Sequence, residues 1–147
     1  MSLRDWEQTN RWLVAHPTTR EEIGNLLAVG DRDLRDSRVD ALSADARMAL
    51  AYSAALQFAS AALAAAGYRP ARGGDHHYRT IQALTLTIGW EAKLVKRLDT
   101  FRSKRNTSAY ERAGEVSDAE AQEIQKMALS LRDDVSAWLR KHHPALI

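Results

Sequence analysis

The sequence predicts an all-α protein that folds as one helical domain. Its 147 residues suffice for one domain with a substantial core. Hydrophobic residues make up 45% and charged residues 27% of the chain, which is typical of a globular protein and argues against wholesale disorder. Few glycines and prolines interrupt it, and the segments between them carry apolar residues at helical spacing. The absence of convincing strand periodicity and the short loops favour an antiparallel bundle.

Composition also limits the classes of function. The chain contains no cysteine, which excludes disulfides and thiolate metal sites and fits a reducing compartment. The N-terminal residues lack the apolar run of a signal peptide, so we expect a cytoplasmic protein. The most apolar segment, residues 50–66, is rich in alanine and broken by polar residues, which predicts a core helix and no membrane association. The net charge of +2 is compatible with nucleic-acid contact without indicating it.

Two short helices are predicted in residues 1–40, ahead of the main bundle. The first spans residues 3–15 and ends before Pro17. The second begins at Thr19, where Glu22 predicts a capping box in which each side chain satisfies an amide of the first turn. Its apolar positions follow at helical spacing: Ile23, Leu26, Leu27 and Leu34.

The longest predicted helix begins after Ser43 and ends at Gly67, with Pro70 beyond it. Serine is a preferred N-terminal cap, and glycine followed by proline is a typical helix end. About half of the residues between them are alanine, a strong helix former whose small side chain lets other helices approach closely. We therefore place this helix at the centre of the bundle.

Three more helices follow a turn predicted at residues 69–75. The fourth ends near Gly89, the fifth spans residues 90–106, and the sixth begins after Ser117, where Glu120 completes a second capping box. The positions in phase with the core are His77, Ile81, Leu84 and Ile88, then Leu94, Leu98 and Phe101, then Ile124, Met127, Leu131, Val135 and Trp138.

Two polar residues fall in phase with these stripes. Arg105 lies four residues beyond Phe101, and His77 begins the stripe of the fourth helix. Burial of an unpaired guanidinium is costly, so Arg105 needs a carboxylate, a dimer partner or a ligand in a cleft. The alternatives are an arginine that reaches solvent at the end of its stripe and a histidine that bonds a backbone carbonyl.

The fifth helix also carries the most basic stretch of the chain. Its cations are Lys93, Lys96, Arg97, Arg102, Lys104 and Arg105. Such residues hold phosphates, and Tyr110 just beyond them can stack on a base, which favours nucleic-acid binding. The alternative is a solvated helix face with cations near the C-terminal end of the helix dipole.

Residues 104–110, with the sequence KRNTSAY, resemble the end of the third core helix of HEPN domains (higher eukaryotes and prokaryotes nucleotide-binding). In that family an arginine, often followed by asparagine, precedes a histidine or tyrosine by about five positions. The alanine-rich helix before Tyr68, the helix starting at His77 and the closing helix also resemble the family. The resemblance implies an antiparallel HEPN-like four-helix bundle over residues 41–143, within a core of residues 41–147, and leaves residues 1–40 as a helical extension.

The resemblance implies several functions. Many HEPN domains dimerise and place two arginine motifs around one cleft. Active members are metal-independent ribonucleases, in which arginine and histidine promote attack of the ribose 2′-hydroxyl on the adjacent phosphate. Others are inactive partners or RNA-binding modules, often beside nucleotidyltransferases in toxin–antitoxin or defence systems.

Carried over to this sequence, Arg105 matches the motif arginine and Asn106 its neighbour, while Tyr110 stands where active nucleases have histidine. Tyrosine, with an ordinary pKa of about 10, is a poor base near neutrality, whereas histidine exchanges protons readily. His77 could supply the missing acid–base group from the neighbouring helix.

We therefore expect a HEPN-like protein of a toxin–antitoxin or defence-type system that binds RNA, a nucleotide or a partner without catalysis. The expected binding residues are Arg102, Lys104, Arg105, Asn106 and Tyr110. One alternative is a metal-independent endoribonuclease toxin using Arg105 with Tyr110 or His77. Another is a protein–protein interaction module without nucleic-acid binding. Expected partners are a second copy of the chain and a nucleotidyltransferase or antitoxin; no cofactor or metal is expected, because no metal-binding motif occurs.

Overall fold

The computed structural model describes residues 1–110 and 115–147, with side chains described for residues 1–106 and 115–147. The helices are α1 (Leu3–Gln8), α2 (Arg20–Asp36), α3 (Ala44–Ala65), α4 (His76–Gln82), α5 (Ala92–Tyr110) and α6 (Asp118–His142), and the strands are β1 (Leu13–Ala15) and β2 (Tyr68–Pro70). Short 3₁₀ turns follow α4 at Ala83–Thr85 and α6 at Pro144–Leu146. The predicted all-α class is confirmed, with a small two-stranded sheet added to it.

The alanine-rich helix α3 lies at the centre of the molecule, as predicted. Its most extensive contacts are with α2 and α6, and α5 makes fewer contacts with it. By length and composition α3 could cross a membrane, but 67% of its apolar window is buried against the rest of the protein. This burial confirms the prediction of a core helix in this segment.

Helix α2 was expected as a short element ahead of the bundle, and it is instead 17 residues long. Ile23 and Leu34 on its inner face belong to the same buried cluster as the core residues of α3 and α6. Gly30 of α2 packs against the ring of Phe58 on α3, where a β-carbon would lie 2.5 Å from the ring. The contact between α2 and α3 therefore depends on the missing side chain at Gly30.

The prediction of a first helix over residues 3–15 is wrong in its second half, and so is the prediction that the chain has no strand. Helix α1 ends at Gln8, and Arg11 adopts a left-handed backbone conformation with φ 58°, which stops helical propagation. Strand β1 then pairs antiparallel with β2, so that the predicted turn at residues 69–75 begins as a strand. Leu13 of β1 is buried in one cluster with Trp6 and Leu63, and this tertiary burial outweighs the local helical pattern.

Arg79 of α4 contacts an aromatic ring next to strand β1 of the ribbon. The guanidinium carbon of Arg79 lies 3.5 Å from the ring centroid of Trp12 and 5.2 Å from that of Tyr78. Asp75, one turn earlier, lies 3.4 Å from Arg79 Nε. Cation–π contacts of this kind contribute most where the cation is partly removed from water, so Arg79 ties the N-terminal ribbon to α4.

The predicted helix starts agree with the structure at Ser43 and Ser117, and Ser117 forms the full capping box with Glu120. At Thr19 only half of the predicted box is present. Thr19 accepts the amide hydrogen of Glu22, but the Glu22 carboxylate accepts from Thr18 and contacts His16 instead of the cap backbone. The predicted fourth helix ends earlier than residue 89, because the chain tightens into the 3₁₀ turn after Gln82.

Candidate functional site

Arg105 lies half-buried on α5, on the face that also carries the fully buried Phe101. Its guanidinium carbon is 5.7 Å from the centroid of the Tyr52 ring on α3, within the range of a cation–π interaction. Among the described residues, no carboxylate forms an ion pair with Arg105 and no hydrogen bond engages its guanidinium. An inward arginine was predicted to need a carboxylate, a dimer partner or a ligand. The described part of the chain contains no carboxylate that pairs with Arg105.

Tyr52 is 1% exposed, and its hydroxyl has no hydrogen-bond partner among the described residues. Burial raises the pKa of this hydroxyl to about 12, against the opposing effect of the positive charges of Arg102 and Arg105. The hydroxyl therefore stays protonated at neutral pH and remains a hydrogen-bond donor. A buried donor without a partner costs free energy unless a ligand or water accepts a hydrogen bond from it.

His77 lies on the first turn of α4 and is half-buried. Burial lowers the pKa of its imidazole below the usual 6.5, and the neighbouring charges of His76, Arg105 and Arg102 lower it further. His77 is consequently neutral at pH 7, with one ring nitrogen free to accept a proton. His77 thus lies close enough to Arg105 for the charge of Arg105 to contribute to its lowered pKa.

Arg102 lies one turn before Arg105 and has a carboxylate partner on its own helix. Its Nε lies 2.6 Å from Asp99 Oδ1, and its guanidinium carbon lies 5.6 Å from the ring centroid of Tyr78 on α4. This ion pair is only about a quarter exposed, so solvent screens it less than a surface pair. Arg102 is therefore held in position by Asp99 of its own helix and by the ring of Tyr78 on α4.

Most other cations of the basic stretch are neutralised within the protein. Arg97 donates two hydrogen bonds of 2.6 Å to Glu123 of α6, and Lys104 Nζ lies 2.6 Å from Glu120 Oε2. These pairs tie α5 to α6. Lys104 was predicted to bind RNA, and its pairing with Glu120 leaves less of its charge available to a phosphate.

The two remaining predicted residues lie toward the end of α5. Asn106 is exposed. The side chain of Tyr110 lies outside the described residues, so the structure does not place it relative to Arg105. We call Tyr52, His77, Arg102 and Arg105 the Arg105 cluster, because the charges of the two arginines act on the pKa of both Tyr52 and His77.

Sequence reasoning did not identify Tyr52 as part of a site. The available signal was a hydroxylated aromatic residue in an alanine-rich helix, four residues after the buried Met48 and three before Ala55. That spacing places Tyr52 on the core-facing side of α3, where its hydroxyl needs a partner. The Arg105 cluster thus combines guanidinium donors, a phenolic donor and a neutral imidazole, a set suited to an oxyanion such as phosphate.

Within the described ranges, no group of three or more histidine, aspartate or glutamate side chains is arranged to hold a metal ion. Comparison of the chain with models of known protein families and with the sequences of curated proteins finds no match.

Proposed function

We propose that this protein binds RNA or a nucleotide through the Arg105 cluster, as a HEPN-like component of a toxin–antitoxin or defence-type system. The observation that carries the proposal is the Arg105 guanidinium itself. It is half-buried, has no carboxylate partner among the described residues, and lies over the ring of Tyr52. A phosphate would supply the missing negative charge and accept hydrogen bonds from the guanidinium.

The surroundings of Arg105 support an anionic ligand. Arg102 adds a second guanidinium one turn away, and the Tyr52 hydroxyl adds a neutral donor that stays protonated. His77 is neutral and can donate or accept one hydrogen bond without adding charge. The resemblance of residues 104–110 to the HEPN motif extends the proposal to homodimerisation and to a nucleotidyltransferase or antitoxin partner, neither of which the geometry itself requires.

The test measures binding of a fluorescent single-stranded RNA to wild type and Arg105→Ala, in EDTA and across a salt series. Loss of a charge-assisted contact should weaken binding about tenfold or more. It should also reduce the slope of log affinity against log salt concentration by about one, since one fewer counterion is released. Arg140→Ala, which removes the same charge from an exposed position on α6, is the control and should bind within about twofold of wild type. Unchanged binding by Arg105→Ala would overturn the proposal.

A second candidate function is metal-independent endoribonuclease activity, because the lowered pKa of His77 keeps its imidazole neutral and able to accept a proton. Neutral His77 would take the proton of the ribose 2′-hydroxyl as that oxygen attacks the adjacent phosphorus, and Arg105 would stabilise the charge on the phosphoryl oxygens. The bond from phosphorus to the 5′-oxygen then breaks, the 5′-oxygen takes a proton from water, His77 returns its proton to the solvent, and a 2′,3′-cyclic phosphate remains.

The same RNA, analysed on a denaturing gel after incubation in EDTA, separates the two candidates. Cleavage that is lost in both His77→Ala and Arg105→Ala establishes the nuclease. Binding without cleavage by the wild type rejects it and leaves the binding function. If the wild type neither binds nor cleaves RNA or nucleotides, both are rejected, and a protein–protein interaction module is the remaining interpretation.

A further inference from the structure

A cavity with a volume of about 220 Å³ lies between α2, α3 and strand β2, and none of its lining residues belongs to the Arg105 cluster. Its apolar walls include Leu26 of α2, Leu63 of α3 and Tyr68 of β2. An apolar cavity of about 150 Å³ in another protein holds one benzene molecule. The cavity therefore has room for a phenyl ring or a branched aliphatic group with a short polar extension.

Glu22 lines this cavity, and its carboxylate is held there by two side chains that precede α2. Glu22 Oε1 accepts a hydrogen bond of 2.7 Å from Thr18 Oγ1 and lies 2.8 Å from Nε2 of His16, which also lines the cavity. The bonds from Thr18 and His16 hold the pKa of this carboxyl below its usual range, so the group is ionised at neutral pH. Within the described residues no hydrogen bond uses Glu22 Oε2, which leaves this oxygen as an acceptor for a ligand.

The opposite charge at the cavity is that of Arg69 on β2, an exposed residue. In the part of the chain that the structure describes, Arg69 forms no ion pair with Glu22 or with any other carboxylate. A free guanidinium can bind a carboxylate through two parallel hydrogen bonds. The cavity thus combines an apolar interior with an anionic and a cationic group that do not pair with each other.

We propose that this cavity binds a free amino acid with an apolar side chain. The side chain enters the apolar interior, the ammonium donates to Glu22 Oε2, and the carboxylate accepts from Arg69. The carrying observation is the Glu22 carboxylate, which does not complete the cap of its own helix and is held at the cavity instead. The inference goes beyond the proposed function and does not depend on it, because the two sites share no residue.

The two charges exclude simpler ligands of the same size. An uncharged apolar molecule would displace water from the ionised Glu22 without replacing the lost hydrogen bond, which is costly. A ligand that carries only a carboxylate would meet the negative charge of Glu22, and one that carries only an ammonium would meet the positive charge of Arg69. A zwitterion with an apolar side chain complements both charges and the interior.

NMR titration of the ¹⁵N-labelled protein with L-phenylalanine tests the proposal. The amide signals that shift should belong to residues 16–26, 60–64 and 68–70, which surround the cavity. N-acetyl-L-phenylalanine lacks the ammonium and L-phenylalaninamide lacks the carboxylate, so each should bind about tenfold more weakly through loss of a charge-assisted hydrogen bond. Glycine, which lacks the apolar side chain, should also bind at least about tenfold more weakly than L-phenylalanine.

The charge variants assign each end of the ligand. Glu22→Gln should weaken binding of L-phenylalanine about tenfold and should not weaken binding of N-acetyl-L-phenylalanine, which has no ammonium to lose. Glu21→Gln removes the same charge from an exposed neighbouring position and should bind like the wild type. Arg69→Gln should weaken binding of L-phenylalanine and leave that of L-phenylalaninamide undiminished, with exposed Arg72→Gln as its control.

Ser60→Leu tests the cavity without changing a charge. Ser60 is a half-buried lining residue on α3, and the larger side chain should fill the cavity and abolish binding of all these ligands. Three results would contradict the proposal: no binding of L-phenylalanine by the wild type at millimolar concentrations, equal affinity for the zwitterion and its two blocked forms, or binding that Ser60→Leu leaves unchanged. RNA binding through Arg105 should be the same in Ser60→Leu as in the wild type, so the two proposals fail separately.

Discussion

Arg105 lies over the ring of Tyr52, with 5.7 Å between the guanidinium carbon and the ring centroid, and the two residues come from different helices of the bundle. The ring face interacts favourably with the cation, while the hydroxyl of the same residue is buried without a partner among the described residues. Tyr52 therefore contributes to stability through its ring and reduces it through its oxygen. This opposition gives the first prediction.

Tyr52→Phe keeps the ring and removes the unpartnered oxygen. We expect the free energy of unfolding to stay constant or to rise by up to about 1 kcal/mol, because a buried donor without a partner is destabilising. RNA affinity should fall severalfold, because the hydroxyl can no longer donate to the phosphate. Urea denaturation and fluorescence anisotropy measure the two quantities. A clear loss of stability would mean that the hydroxyl is hydrogen-bonded in the folded protein.

The pKa of His77 is the subject of the second prediction, and NMR titration of its imidazole should place that pKa below 6.5. Arg105→Gln should raise it only partly, since burial is the largest cause of the shift and the charge of Arg105 is a smaller one. His76→Gln provides a parallel change and should also raise the pKa, because a positive charge on His76 disfavours one on His77. A His77 pKa above 6.5 in the wild type would contradict the burial seen in the structure.

The same shift sets the sign of a pH effect on stability. The folded pKa of His77 is lower than the unfolded one, so between the two values the unfolded state binds more protons. The contribution of neutral His77 is therefore fully present above pH 6.5 and is lost as the pH falls below it. His77→Gln should flatten the pH dependence of the unfolding free energy in this window, and an unchanged slope would exclude His77 as its source.

The helical elements could be predicted because their signals are local. The alanine content of α3 and the caps at Ser43 and Ser117 specify helices without reference to distant residues, and these elements agree with the structure. Strand β1 could not be predicted in this way. Its partner β2 lies more than fifty residues further along the chain, and Leu13 is buried only when the ribbon closes over Leu63 of α3.

The same distinction between local and long-range signals applies to the residues of the candidate site. The phases of His77 and Arg105 on their helices predicted that both face inward, and both side chains are half-buried in the structure. The spacing within α3 places Tyr52 toward the core, but its position next to Arg105 depends on the packing of α3 against α5, which no local pattern encodes. The pairing of Arg97 and Lys104 with carboxylates of α6 also depends on tertiary packing. The sequence shows only a basic stretch, whereas the structure shows that these two cations have carboxylate partners and that Arg105 has none among the described residues.

Glu123 on α6 gives the third prediction. Its two hydrogen bonds with Arg97 hold the pKa of its carboxyl below the usual 4.5. Because the folded pKa is lowered, the pair stabilises the protein above pH 4.5, and this contribution is lost as the pH falls through the folded pKa. Glu123→Gln should remove that acid-dependent component and cost no more than about 1 kcal/mol at neutral pH, because both side chains are 40% exposed and solvent screens the pair.

A double-mutant cycle checks the assignment. Arg97→Gln should produce the same flattening in acid, and the double variant should add little to either single change. If the two single changes are additive, the pair does not couple α5 to α6 in solution.

Gly30 and Gly24 of α2 form a matched pair for the last prediction. A β-carbon at Gly30 would lie 2.5 Å from the Phe58 ring, whereas one at Gly24 would meet nothing within 4 Å. Gly30→Ala should therefore lower the free energy of unfolding by about 1–3 kcal/mol, because α2 must move away from α3. Gly24→Ala should raise it by about 0.5–1 kcal/mol, since alanine is the better helix former at an exposed position. Thermal or urea denaturation measures both, and similar effects of the two substitutions would show that α2 does not pack closely on α3.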